Sequence, residues 1–154
     1  MKASHRDFEL PVTAHPSLSR LLDEWRQAWE RRPPTTEDLS FDALIGDYPG
    51  LFLVDPGRRK RGKPDPLVIR AGPAIGERIK REIGGMHFSD LIHPQIRKRV
   101  NDVYAALMKT GRPHYWEMAN TVFGSRPDRY HRLLLPLYSH DATIEYLLGC
   151  CAWD

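Results

Sequence analysis

Cysteine is scarce in this 154-residue chain: Cys150 and Cys151 are the only two, side by side in an apolar run. Neighbours on a strand point to opposite faces, so these two are not expected to bridge each other. Two buried thiols in a reducing, cytoplasmic setting are the expectation. No apolar run approaches the ~20 residues needed to cross a bilayer, and Met1-Lys2-Ala3-Ser4-His5-Arg6-Asp7 has no apolar core of a secretory signal. Signatures of nucleophilic and nucleotide chemistry are missing too: there is no G-x-S-x-G, no P-loop and no G-x-G-x-x-G. The histidines (5, 15, 87, 93, 114, 131 and 140) form no HxxxH or HxH pair. His114 and His131 are expected on facing strands but lack a third ligand, so no metal site is expected. Internal repeats and low-complexity tracts are also absent. With 41% hydrophobic and 28% charged residues, what is left is one ordinary globular core.

Charge is nearly balanced at +3, yet much of the excess sits in Arg58-Arg59-Lys60-Arg61-Gly62-Lys63. Held between Pro56-Gly57 and Pro64-Asp65-Pro66, this run reads as a solvated hairpin loop that also guards a sheet edge. Anion or nucleic-acid binding is the alternative. No aromatic residue interleaves the run, which counts against a single-strand binder.

The organisation begins with residues 1–14, a flexible lead without periodicity. Residues 15–35 form an amphipathic helix and its proline break. Leu18, Leu21, Leu22, Trp25 and Trp29 recur on one stripe, Pro16 stands in the first turn, and Pro33-Pro34 follows the end. An apolar stripe needs burial but does not choose its partner. Packing on the chain's own sheet is one outcome; a dimer or partner surface of Leu18, Leu22, Trp25 and Trp29 is the other.

Residues 36–154 make the main domain. Thr36 and Ser40 are expected to cap two short helical turns, with Gly46 as the stop. Leu51-Phe52-Leu53-Val54 and Leu67-Val68-Ile69-Arg70-Ala71 form a hairpin around the basic loop. Short helical turns follow over 74–83 and 89–92. His93-Pro94 then opens the longest helix of this half, with Ile96, Val100, Val103, Tyr104 and Leu107 on its apolar stripe, closed by Gly111 and Pro113. Three strand-like runs complete the chain, over 115–123, 130–137 and 143–153, separated by turn formers as in an antiparallel meander.

The order helix, short helix, two strands, helical turns, long helix, three strands is that of a PAS domain. Leu91-Ile92-His93-Pro94 resembles the start of the long PAS helix, and Lys109-Thr110-Gly111-Arg112-Pro113 resembles the turn into the third strand. A subgroup of bacterial single-domain PAS-like proteins is closest. Its elements read here as Trp25 or Trp29, Pro33-Pro34, Arg70-Ala71-Gly72, Gly85, Ser89-Asp90-Leu91 and Arg132-Leu133-Leu134-Leu135-Pro136-Leu137. The basic connection 57–63 departs from that pattern. The resemblance implies an α+β fold: a PAS-like five-stranded antiparallel sheet with helices on one face, plus the additional N-terminal amphipathic helix.

It also implies a cavity between sheet and helices, and Arg70, His93, Trp116, Met118, Tyr130 and Arg132 are the pocket candidates. Arg132 is the candidate anchor for an acidic group. No cofactor is expected, though a small organic ligand fits the scheme. Haem-binding PAS proteins ligate from the neighbourhood of His93, but a histidine before proline more naturally caps the helix. No cysteine stands where light-sensing PAS proteins form their flavin adduct. The expected function is a non-enzymatic sensory or regulatory module that binds a small ligand, a protein partner, or both, with a homodimer as one form of partnership. The alternatives are a small-molecule enzyme with a cone-shaped pocket, for which Glu117 and His131 are the only acid–base candidates and neither has an evident partner, and anion or nucleic-acid binding through 58–63.

Overall fold

A computed structural model of the chain describes residues 7–118 and 129–153, and of Met118 the backbone only. Helix α1 (Pro16–Trp29) and the short α2 (Phe41–Leu44) precede strand β1 (Leu51–Asp55). A small hairpin, β2 (Arg59–Lys60) and β3 (Lys63–Pro64), tops the connection to β4 (Leu67–Ala71). Next come α3 (Pro73–Ile79), α4 (Phe88–Leu91) and α5 (Pro94–Thr110), then β5 (His114–Met118), β6 (Tyr130–Tyr138) and β7 (Ile144–Trp153). The main sheet is five-stranded and antiparallel, in the order β4-β1-β7-β6-β5. The last three strands therefore pair as consecutive neighbours, as the meander pattern predicts. The predicted continuation of β5 over 119–123 lies outside the described residues.

Alternation along these strands divides the interior into two cores. On the inner face Phe52, Val54, Val68, Trp116, Tyr130, Leu134, Leu147 and Cys151 meet α3, α4 and α5. On the outer face Leu51, Leu133, Leu135, Leu137, Leu148 and Cys150 meet α1 and α2. Cys150 and Cys151 thus lie on opposite sides of one strand, both buried and both free thiols.

Helix α1 explains why the outer face needs no second molecule. Leu18, Leu21 and Trp25 have no exposed surface, Leu22 almost none, and Trp25 Nε1 donates to the Pro136 carbonyl at 2.9 Å. Trp29 stacks edge-on against Tyr138, with ring centroids 5.5 Å apart. The proposed partner surface of Leu18, Leu22, Trp25 and Trp29 is therefore corrected: the stripe is consumed inside the chain. The lead is fastened as well over its described part. Phe8 is buried in the outer core with the Arg112 guanidinium over its ring, and Thr13 Oγ1 donates to Glu117 Oε2 at 2.8 Å.

Local capping departs from expectation at the two short helical turns and holds at the end of α5. Thr35, not Thr36, takes the backbone donors of Glu37 and Asp38, while Asp38 Oδ2 accepts from the Thr35 N–H. Ser40 makes no side-chain cap bond. Helix α5 ends as predicted, with Gly111 in the left-handed region at φ 70° and its N–H on the Leu107 carbonyl.

A chamber built around a buried arginine

Strand register builds the site. Trp116 on β5 lies opposite Arg132 on β6, and the Met118 backbone lies opposite Tyr130. Trp116, Tyr130 and Arg132 thus share the face turned towards α5. Arg132 is only 4% exposed, and no carboxylate among the described residues pairs with it. Its guanidinium carbon stands 3.6 Å from the centre of the Trp116 ring, and its Nη2 is 3.1 Å from His114 Nδ1. Its Nε is buried with no hydrogen-bond partner among the described residues, as is Trp116 Nε1.

Each neighbour carries the electrostatic mark of this arrangement. Burial, reinforced by the Arg132 and Arg99 charges, pushes the His114 imidazole down to about 4. His114 is therefore neutral at physiological pH, and its Nδ1 is an acceptor for the arginine. Burial raises the Cys151 thiol to about 12 despite the nearby cation, which makes it an inert thiol rather than a nucleophile. Burial raises the Tyr104 phenol and lowers the Arg132 guanidinium.

Between this cluster and the helices lies a cavity of about 20 Å³. Phe52, Val68, Ile83, Phe88, Ile92 and Val100 supply its apolar wall, and Tyr104, Tyr130 and Arg132 its polar side. About 10–15 Å³ is the least that holds one water, and organic ligands occupy about 300–1,000 Å³. The chamber thus has room for one or two small atoms. A flavin or a haem does not fit it.

The remaining candidates stand elsewhere. Arg70 is exposed on the outer face, where it pairs with Asp42 and lies 4.3 Å over the Phe41 ring. The reason is a β-bulge: Leu53 pairs with Arg70 and Val54 with Val68, so Ile69 is an extra residue that reverses the alternation. His93 is exposed, and its Nδ1 accepts from the Gln95 N–H at 3.2 Å as the N-cap of α5. Neither residue lines the chamber.

His114 and His131 do not face each other. His114 points inward with Leu134, whereas His131 belongs to the alternate, outer set, so the two sit on opposite sides of the sheet. No cluster of three metal-ligating side chains exists among the described residues.

Glu117 and His131 have no evident partner in the sequence; the structure supplies one. The Tyr115 hydroxyl lies 2.9 Å from Glu117 Oε2 and 2.7 Å from His131 Nδ1. Thr13 and Arg129 complete the set around Glu117. With His131 buried and the set outside the chamber, this chain of bonds fastens the lead to the sheet.

No family model matches the sequence, and no curated protein resembles it closely enough to match. Solved structures do. The PAS domain of BvgS from Bordetella pertussis superimposes with a TM-score of 0.57 at 12% identity, over 77% of this chain and 87% of that one. A fungal LOV domain photoreceptor matches at 0.53 and 18% identity, over 91% and 92%. The LOV domain of the blue-light photoreceptor Aureochrome1 matches at 0.53 and 13%, over 75% and 88%. The chain has the PAS fold.

Proposed function

We propose that this chain is a non-enzymatic sensory module whose inner chamber responds to a small anion held by Arg132, and that it passes the change to a protein partner. The observation that carries the reading is the arginine itself: 4% exposed, without a carboxylate among the described residues, at the wall of a 20 Å³ cavity. Burying a lone charge costs several kcal/mol even after relaxation. The Trp116 ring returns up to about 2 kcal/mol of this, and the bond to neutral His114 adds a little more. An anion beside the guanidinium would offset the rest. Fold-level analogy adds support, since the similar structures include the PAS domain of BvgS and two photoreceptor LOV domains.

Space sets the class of ligand. In this packing the chamber takes an ion of one or two small atoms, and a larger anion requires α4 and α5 to lift. The test is the melting temperature at constant ionic strength, with sulfate exchanged for chloride, nitrate or formate. The wild type is expected to rise with the logarithm of the concentration of the fitting anion. Arg132→Met is expected to stay flat and to melt no lower than ligand-free wild type, because it removes a buried charge without orphaning a carboxylate. If wild type melts alike in every anion, and native mass spectrometry of fresh protein shows only the bare chain, the anion reading fails. A module acting through protein contact alone would then stand, which the near-filled chamber also favours.

A further inference from the structure

A second cavity lies outside the chamber, between the β2–β3 hairpin and the start of α5. It is an open cleft of about 460 Å³, lined by Lys60, Arg61, Lys63 and Arg97 together with Asn101, Asp65, Ser89 and Asp90. We propose that this cleft binds the diphosphate group of a small phosphorylated molecule.

The cations are set, not scattered. Arg61 and Gly62 both have positive φ, 52° and 78°, which makes the tight two-residue turn that suits a hairpin. Asn, Asp or Gly normally fills the first of these positions; an arginine there costs about 1–2 kcal/mol of backbone strain. The same hairpin pairs Lys60 directly with Lys63, a like-charge pair that opposes folding. Lys60 is held by Asp90, a carboxylate that the Arg61 charge also reaches, whereas Lys63 has no carboxylate partner among the described residues.

The facing wall is positioned from inside the fold. Arg97 Nη2 donates to the carbonyls of Ser89 (3.0 Å) and Ile92 (3.1 Å), so the guanidinium is fixed across the α4–α5 junction. Its Nε is buried without a partner, and no carboxylate among the described residues neutralises it. Asn101, one turn along the same helix face, has a buried side-chain oxygen without a partner. Its amide can present either end to the cleft. Asp65, although it lines the cleft, is 7% exposed and already accepts from the Ser89 N–H and hydroxyl.

Charge and size select the ligand. Four cations against two carboxylates, one of them internally satisfied, favour a group with more than one negative charge. The volume is that of a small-molecule site. A nucleic acid is disfavoured because no aromatic side chain lines the cleft for stacking, and Asp65 and Asp90 flank the path a strand would follow. This inference does not rest on the chamber around Arg132.

Isothermal titration of the full chain with inorganic pyrophosphate tests it. One-site binding is expected, stronger than for inorganic phosphate. Arg61→Gln with Lys63→Gln, both exposed on the β2–β3 hairpin, is expected to weaken it about tenfold or more. Arg31→Gln with Lys109→Gln removes the same charge elsewhere and is expected to change it less than about twofold. Equal weakening in both pairs would reduce the cleft to diffuse charge and overturn the proposal. So would the lack of saturable binding up to about 1 mM pyrophosphate. A single strand of about 20 nucleotides that binds tighter, and that pyrophosphate does not displace, would reassign the surface to nucleic acid.

Discussion

At the scale of single residues, His114 reports on its neighbourhood through protons. Its imidazole drops from the ordinary 6.5 to about 4, first because it is buried and then because Arg132 and Arg99 repel a third cation. The unfolded chain binds the proton more readily than the native one, so acid favours unfolding. The stabilisation is complete above pH 6.5 and is surrendered progressively between pH 6.5 and 4. His114→Asn keeps an acceptor for Arg132 Nη2 but does not titrate. Melting curves from pH 7.5 to 4 are expected to fall more steeply for wild type than for this variant. Parallel curves would mean that the imidazole is protonated in the native state at the same pH as in the unfolded chain. Arg132 belongs to the same scale and is legible in the sequence, because the alternation of Tyr130, Arg132 and Leu134 puts all three on one face. Its solitude was not legible, since a sequence does not say which carboxylates lie out of reach.

At the scale of elements, register decides more than propensity. Arg70 stands two residues from Val68 and would share its face in a regular strand; the extra residue Ile69 moves it to the other side. Nothing in Leu67-Val68-Ile69-Arg70-Ala71 marks that bulge, because its residues suit a regular strand equally well. The role of Tyr115 is hidden in the sequence for a related reason. It bridges Glu117 and His131 only because β5 and β6 pair with Glu117 opposite His131. The helical stripes were readable because one-sided burial repeats every turn, as Leu18, Leu21, Leu22 and Trp25 demonstrate. Strand β7 carries a finer requirement. Gly149 lies opposite Phe52 on the inner face, and the Phe52 ring occupies the place a Cβ would take. Phe52 in turn walls the chamber. Gly149→Ala is expected to push this ring aside and destabilise the fold by about 1–3 kcal/mol. Chemical denaturation measures it, and a variant as stable as wild type would mean the ring has room to move.

At the scale of the whole molecule, one sheet is buried on both sides by different parts of the same chain. Helices α3, α4 and α5 cover the face that holds Arg132, and α1 covers the other. The final strands link the two, since adjacent residues of β6 and β7 serve opposite cores. A shift of α1 therefore reaches the chamber through strands only one residue thick, which gives the outer face a say in what the inner face holds. The seam is Trp25, whose Nε1 donates to the carbonyl of Pro136 on β6. Trp25→Phe leaves the stripe apolar but strands that carbonyl, at a cost of about 1–3 kcal/mol. For a chain of this size each kcal/mol moves the melting point by about 2–4 °C. The expected drop is several degrees, the same at every protein concentration, because the helix packs on its own sheet. A melting point that rises with protein concentration in wild type, and loses that dependence in Trp25→Phe, would place this stripe between two molecules instead.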